Sequence, residues 1–247
     1  MIKFLYHIGC YFILLGKVFS KPEKLKIYYK RLIYEMNSLG IQSIWIIIII
    51  SVFMGAAITI QTAYNIENPL LPRYLIGVGA RDSMLLEFSS TMVALILAGK
   101  VGSSISSELG TMRITEQIDA LEIMGINSAS FLILPKIVGL MLFIPFLSMI
   151  SMFVGIFGGW VAAIASGVTT SEGYIYGIQY VFIPYYVTYA LVKSVVFAFL
   201  ITSISSYHGY YVQGGSIEVS KSSTRAVVHS SIFILMFNII LTQLMLS

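Results

Sequence analysis

The sequence predicts an all-α integral membrane protein with an N-terminal amphipathic interfacial helix, about five transmembrane helices and one short cytoplasmic helix. Apolar residues make up 57% of the chain and charged residues only 11%, and the mean hydropathy is +0.89. A soluble domain has far fewer apolar residues and many more charges. Several apolar runs also reach the roughly 20 residues that cross a hydrocarbon layer of about 30 Å.

The N-terminal region is predicted to lie on the membrane surface. Residues 1–20 place aromatic side chains between lysines, a composition that suits a helix in the headgroup zone, and no A-x-A-like cleavage site follows. Residues 22–36, which begin at Pro22, predict a second short helix that turns the chain into the membrane. We therefore divide the chain into residues 1–36 and a transmembrane domain of residues 37–247.

Five transmembrane segments follow in the sequence, and two longer outer connections, 65–83 and 166–185, are predicted to be exposed loops. The third segment is long enough to be tilted or kinked, with Pro135 and Pro145 as the kink points. The segments are predicted at about Ile41–Tyr64, Met84–Ser107, Phe131–Ala165, Tyr186–Ser206 and Ala226–Leu246.

The distribution of basic residues predicts the topology. Seven of the 15 Lys and Arg residues lie within the first 31 positions, which favours a cytoplasmic N-terminus by the positive-inside rule. Arg113, Lys136, Lys221 and Arg225 also fall on the predicted inside, whereas Arg73 and Arg81 fall outside. An odd number of segments then places the C-terminus on the periplasmic side.

The connection between the second and third segments predicts a short acidic helix of about ten residues. Thr115 is the expected N-cap and Gly125 the expected residue after the helix end. Glu116, Asp119 and Glu122 recur on one face. Two interpretations stay open: a solvated surface helix, or a docking site for a protein partner with basic side chains, since anionic side chains suit the anionic inner leaflet poorly.

Two ionisable residues inside predicted segments are candidates for function, because charge at mid-bilayer costs at least about 2.5 kcal/mol. Glu87 lies near the outer end of the second segment, and Lys193 lies a similar distance into the fourth. If these helices are neighbours, the two side chains can pair. Lys100 is expected to extend towards the cytoplasmic headgroups instead.

Small residues predict close helix packing. Gly155 and Gly159 form a GxxxG motif, which lets two helices approach within one subunit or between two subunits. Both interpretations stay open at this stage.

Catalytic chemistry is not indicated by the sequence. The single Cys10 excludes an internal disulfide, and no Cys/His cluster offers a metal site. A phosphate-binding loop needs GxxxxGK[ST], but Gly99-Lys100 is followed by Val101. The three histidines are scattered and form no obvious catalytic set, so we expect no catalytic residue, no cofactor and no nucleic-acid partner.

The stretch LAGKVGSSISSELGTMRITEQIDALEIMGIN resembles the signature of the MlaE family of ABC-transporter permeases. The segments GGSIEVSKSSTRAVVHS before the last span and KSVVF in the fourth are similar to further family segments. The resemblance implies a permease in the bacterial inner membrane that moves phospholipid between the inner and outer membranes and maintains outer-membrane lipid asymmetry.

The resemblance also implies a set of partners and a coupling helix. The partners would be a second copy of the chain, a cytoplasmic ABC ATPase dimer that binds ATP and Mg, a hexameric periplasmic MCE-domain protein, and a small STAS-type accessory protein. Glu108 and Arg113 would flank the helix that docks on the ATPase. Its residues would be Thr115, Glu116, Gln117, Asp119, Ala120, Leu121 and Met124.

The chain departs from the family pattern near Glu87. The family often has Arg-Glu-x-Gly-Pro where this chain has Leu86-Glu87-Phe88-Ser89-Ser90, so a basic contact to a lipid phosphate would have to come from elsewhere. Three alternatives stay open: an ABC permease for another lipid or a sterol, a secondary transporter, and a membrane scaffold without transport. The secondary transporter is disfavoured because no repeat or broken helix is evident.

Overall fold

A computed structural model describes residues 2–20, 25–66 and 71–246, which are mostly helical and contain no strand. The helices are α1 Ile2–Phe19, α2 Leu25–Glu35, α3 Ile44–Asn65, α4 Leu75–Ser83, α5 Val93–Leu97, α6 Ser103–Ile114, α7 Gln117–Ile123, α8 Ser128–Ala165, α9 Ser171–Gln179, α10 Tyr185–Tyr210 and α11 Ser216–Leu246. Pro22, the predicted start of the second helix, lies outside the described residues.

Within the described residues, five helical runs are long and apolar enough to cross a membrane, as the sequence predicts. The runs are Tyr28–Asn65, Leu75–Ile114, Ser128–Ala165, Tyr185–Tyr210 and Ser216–Leu246. The protein is therefore a multi-pass membrane protein.

Both outer connections contain helices that the sequence analysis assigned to loops. Helix α4 occupies much of 65–83, and α9 occupies much of 166–185. Tertiary contacts stabilise them: Arg81 is buried, and its Nη1 donates to the carbonyl oxygens of Ile178 and Tyr180 at 2.8 Å. These bonds satisfy carbonyl groups at the C-terminal end of α9, which a helix end otherwise leaves unpaired.

The second transmembrane run has a π-helical backbone at Met84–Met92 and at Ala98–Gly102. Each π turn closes a wider ring than an α turn, and such turns occur frequently at functional sites. Glu87 lies in the first π segment and Lys100 in the second. The Lys100 ammonium donates to the carbonyl oxygen of Gln42.

The chain forms two compact units. One comprises Ser43–Val93 and Pro145–Ser194. Within it the GxxxG motif of α8 packs closely on α3. A Cβ built on Gly55 would overlap the carbonyl oxygen of Gly155, and a Cβ built on Gly159 would overlap the Thr59 hydroxyl. The motif thus packs helices within one chain.

The other unit comprises Met1–Gln42, Ala94–Ile144 and Val195–Ser247. Its helix α1 lies against α10, where the Tyr11 hydroxyl donates to Ser203 Oγ at 2.9 Å and His7 Nδ1 lies 2.7 Å from the Tyr207 hydroxyl. Helices α6, α10 and α11 meet through small residues, since a Cβ on Gly209 would lie 2.7 Å from the Ser106 carbonyl oxygen. The division into residues 1–36 and 37–247 stays a prediction.

Candidate functional sites

The short helix between the second and third spans is α7, which has seven residues rather than about ten. Thr115 is not its N-cap: the Thr115 hydroxyl bonds back to the Thr111 carbonyl oxygen, and Glu116 precedes the helix in a left-handed conformation with φ 57°. The sequence analysis missed this tight junction because α6 extends to Ile114.

The C-terminal end of α7 follows the prediction. Gly125 has φ +77°, its amide donates to the Glu122 carbonyl oxygen, and the Ile126 amide donates to that of Leu121. These two bonds form a Schellman motif, in which glycine adopts the left-handed conformation without strain.

Two carboxylates hold α7 on the rest of the chain. Arg113 Nη1 lies 2.7 Å from Asp119 Oδ1. The hydroxyls of Ser128 and Tyr210 both donate to Glu122 Oε1, at 2.8 and 2.9 Å. The bond from Ser128, followed by that from Tyr210, keeps the pKa of the Glu122 carboxyl below its ordinary value. Two of the three carboxylates on the predicted acidic face therefore bond within the chain, and Glu116 is exposed.

The outward surface of α7 ends in exposed apolar side chains. Ile118 is fully buried, whereas Ile123 is 87% exposed and Met124 65% exposed. Glu116, Gln117 and Ala120 are exposed beside them, and Leu121 is half-buried. A large exposed apolar side chain at the end of a well-anchored helix is typical of a docking surface. The sequence analysis missed Ile123, because it based the possible docking site on the acidic side chains of the helix.

The predicted pair between Glu87 and Lys193 is present. Lys193 is fully buried, and its Nζ lies 3.1 Å from Glu87 Oε1. Nζ also donates to the Tyr189 hydroxyl at 3.0 Å and to the Leu86 carbonyl oxygen at 3.2 Å. The Glu87 side chain stays 40% exposed and also accepts from the Thr91 hydroxyl. The site thus combines a buried cation with a carboxylate that solvent or a ligand can reach.

A second buried lysine forms a site that the sequence analysis missed. Lys136 is fully buried, and its Nζ lies 2.8 Å from both carboxylate oxygens of Glu35 and 2.8 Å from Glu108 Oε2. Glu35 is 3% exposed and Glu108 41% exposed. The three residues tie together α2, α6 and α8. The sequence did contain a signal for this site, because Lys136 lies within the predicted span Phe131–Ala165. The sequence analysis overlooked it by counting Lys136 as a cytoplasmic charge.

Comparison with known proteins places the chain in a family. The family model described as permease MlaE matches residues 32–244. A probable ABC transporter permease of Rickettsia prowazekii is 30% identical over 98% of this chain and 93% of its own length. The intermembrane phospholipid transport system permease protein MlaE of Haemophilus influenzae is 30% identical over 95% of this chain and 89% of its own length.

A plant protein is similar as well. The chloroplastic protein TRIGALACTOSYLDIACYLGLYCEROL 1 of Arabidopsis thaliana is 30% identical over 94% of this chain and 66% of its own length. The fold defines a multi-pass membrane protein with a short, anchored helix, α7, between its second and third spans. The chain belongs to the MlaE permease family, as its sequence motifs predict.

Proposed function

We propose that this chain is the permease subunit of an ATP-driven ABC transporter that moves phospholipid between the inner and outer membranes of a bacterium. The observation that supports this most directly is α7, a short helix anchored at Asp119 and Glu122 that presents Ile123 and Met124 outward. Such a helix transmits motion only if its contacts to the membrane helices are firm. The MlaE family membership and the printed name of the Haemophilus relative support phospholipid as the cargo.

ATP hydrolysis belongs to a partner in this proposal. The chain carries no GxxxxGK[ST] sequence, so ATP and Mg bind to a separate ATPase subunit, and this chain has no catalytic residue. The proposed assembly contains two copies of the permease, two ATPase subunits, a hexameric periplasmic MCE-domain protein and a small STAS-type protein. It lies in the bacterial inner membrane and maintains outer-membrane lipid asymmetry.

The topology follows from the same assignment. A cytoplasmic ATPase requires α7 on the cytoplasmic side, which agrees with the basic N-terminal region and the positive-inside rule. With five spans and a cytoplasmic N-terminus, the proposed position of the C-terminus is the periplasm. Glu87 and Lys193 lie near the lipid pathway in this proposal, where the half-exposed carboxylate meets the passing headgroup.

Copurification tests the proposal. Tagged full-length chain is expected to recover an ATP-hydrolysing subunit from its native membranes, and Ile123→Asp is expected to lose it, because a charge replaces the exposed apolar contact. Val181→Asp is the matched control, since Val181 is also exposed but lies in the other unit. Wild-type chain that recovers no ATPase would refute the function. Full recovery with Ile123→Asp would refute only the docking surface.

Mass spectrometry of the lipids retained by the purified complex tests the cargo. We expect phospholipid to predominate. Enrichment of a sterol or a galactolipid would instead favour the alternative of an ABC permease for another lipid.

A further inference from the structure

The side chain of Asn127 joins distant parts of the chain and is not part of the sites described above. Its Nδ2 donates to the carbonyl oxygens of Lys17 and Ser20, at 2.9 and 2.8 Å, and lies 3.3 Å from Ser20 Oγ. Its Oδ1 accepts from the Ser130 amide at 3.3 Å. Carbonyl oxygens only accept hydrogen bonds and backbone amides only donate them, so both ends of the carboxamide have complementary partners.

These bonds satisfy groups that helix ends leave unpaired. Lys17 and Ser20 lie at the C-terminal end of α1, where carbonyl oxygens have no partner within the helix. Asn127 directly precedes Ser128, where α8 begins, and its Oδ1 serves as the N-cap acceptor of that helix. Lys17 and Ser20 are 110 and 107 residues away from Asn127 along the chain, so only the fold brings the two helix ends together.

Asn127 also follows directly on α7. Gly125 and Ile126 complete the Schellman motif at the end of α7, and Asn127 is the next residue. The Ile126 amide is bonded to the Leu121 carbonyl oxygen, so the backbone that leads into Asn127 is fixed to α7. The end of α1 is thus fastened to the end of the helix that we propose to dock the ATPase.

Helix α10 holds both helices at other points. It contacts the first half of α1 through Ser203 and Tyr207, and it contacts α7 through the hydroxyl of Tyr210. All these residues belong to one compact unit. Helix α1 is therefore held by α10 along its first half and by Asn127 at its C-terminal end, and only the second contact comes from the segment attached to α7.

The free face of α1 is apolar. Leu5, Phe12, Ile13 and Phe19 are between 58% and 64% exposed. An exposed apolar face on a helix with Lys17 in its last turn suits the membrane surface, as the sequence predicts. Asn127 therefore connects a helix suited to the membrane surface with the proposed docking helix.

We propose that Asn127 is a positioning residue that couples α1 to α7, so that binding of the ATPase at α7 moves the C-terminal end of α1 in the membrane surface. The inference rests on the proposed function and deepens it by naming a mechanical route from the docking helix to the bilayer. Coupling between two sites is reciprocal, so membrane contact at α1 also changes the affinity of α7 for the ATPase.

Spin labelling of α1 in the full-length chain tests the coupling. A nitroxide is attached at position 19 through Phe19→Cys, with Cys10→Ser removing the single native cysteine. The labelled chain is reconstituted in vesicles of phosphatidylethanolamine and phosphatidylglycerol. Electron paramagnetic resonance then measures the mobility of the label before and after addition of the copurified ATPase. With Asn127 in place, we expect the ATPase to change the spectrum, because the end of α1 moves with α7.

Two replacements of Asn127 remove the bonds to α1 and keep an N-cap for α8. Serine and aspartate are both good N-caps, but a carboxylate has no donor and a serine hydroxyl has a single donor on a shorter side chain. Asn127→Ser and Asn127→Asp are both expected to lose the spectral response while the ATPase still copurifies. Asn65→Ser is the matched control at an exposed residue of the other unit and should keep the response.

Four outcomes overturn the inference. A label that does not respond to bound ATPase when Asn127 is present refutes the coupling. A response that persists in both Asn127 variants would show that α10 carries the motion without this side chain. Loss of the response in Asn127→Asp alone would show an effect of the added charge. Loss of the ATPase itself from both variants would show that Asn127 belongs to the docking surface.

The same preparations separate this inference from the proposed function. If the wild-type chain recovers the ATPase and any of these four outcomes is observed, only the inference fails. If the wild-type chain recovers no ATPase, the proposed function fails, and the inference that rests on it fails as well.

Discussion

The two fully buried lysines differ in the number of carboxylates around them. Lys136 contacts both oxygens of Glu35 and one of Glu108, all at 2.8 Å. Lys193 contacts one oxygen of Glu87 at 3.1 Å, and a tyrosine hydroxyl and a backbone carbonyl complete its hydrogen bonds. The first cation is therefore surrounded by more negative charge than it carries, whereas the second is matched by a single carboxylate.

The difference separates a buried cation whose main carboxylate is also buried from one whose carboxylate is half-exposed. Glu35 is almost completely buried, so Lys136 keeps α2 joined to α8 whatever happens at the half-exposed Glu108 of α6. Glu87 is half-exposed and lies in a π-helical segment, and it is the carboxylate on which Lys193 depends. Lys193 therefore depends on one carboxylate that is half-exposed, whereas Lys136 depends mainly on one that is buried.

Replacement of Lys136 should have the largest effect. In Lys136→Met the Glu35 carboxylate keeps its buried position without its cation, and breaking a buried pair in this way costs about 3–5 kcal/mol. Unfolding in SDS mixed micelles, followed by far-ultraviolet circular dichroism, measures the loss. Lys221→Met, at an exposed lysine paired with Glu218, is the control and should change stability little. A Lys136→Met chain as stable as the control would show that the contacts of Lys136 contribute nothing.

The two half-exposed carboxylates provide a matched pair of variants. Glu87→Gln leaves the buried Lys193 with neutral hydrogen-bond partners and should cost about 3 kcal/mol. Glu108→Gln leaves Lys136 with Glu35 and should cost about 1 kcal/mol or less. The same unfolding measurement compares them directly, since their exposures are 40% and 41%.

Equal stability of Glu87→Gln and Glu108→Gln would contradict the proposed difference between the two lysine sites. A double-mutant cycle then identifies the cause: Glu87→Gln with Lys193→Met should show coupling beyond the sum of the single effects. Additive single effects would mean that the contact between Glu87 and Lys193 contributes no energy of its own.

The sequence predicts the spans and the Glu87–Lys193 pair because both follow from apolar length and the cost of intramembrane charge. It does not predict the Lys136 site, because its partners lie 101 and 28 residues away along the chain, and residue order alone does not bring them together. Helix α4 was missed for a related reason: it packs on its neighbours through Ile76 and Ala80, which are buried only in the folded chain.

Helix α7 shows the same limit at a candidate site. The glycine that ends it was predictable from local backbone chemistry, since only one residue type adopts the left-handed conformation there without cost. The roles of its carboxylates were not, because Tyr210 comes from a helix 88 residues further on. The sequence therefore located the short helix between the second and third spans, but which of its side chains are exposed emerged only from the fold.

Replacement of Glu122, whose carboxylate accepts hydrogen bonds from two hydroxyls, should have the smallest effect on stability. Its pKa in the folded chain is held below the ordinary value by the hydroxyl of Ser128 and then by that of Tyr210. A lowered folded pKa means that the ionised form stabilises the fold at neutral pH and that this contribution is lost as the pH falls through the folded pKa.

Glu122→Gln should therefore lower stability slightly at pH 7 and not at all in acid below that pKa. Unfolding of the variant and wild-type chains across this pH range measures the difference, with Glu116→Gln as the exposed control. A stability gap that persists unchanged in acid would show that Glu122 acts through packing rather than through its charge.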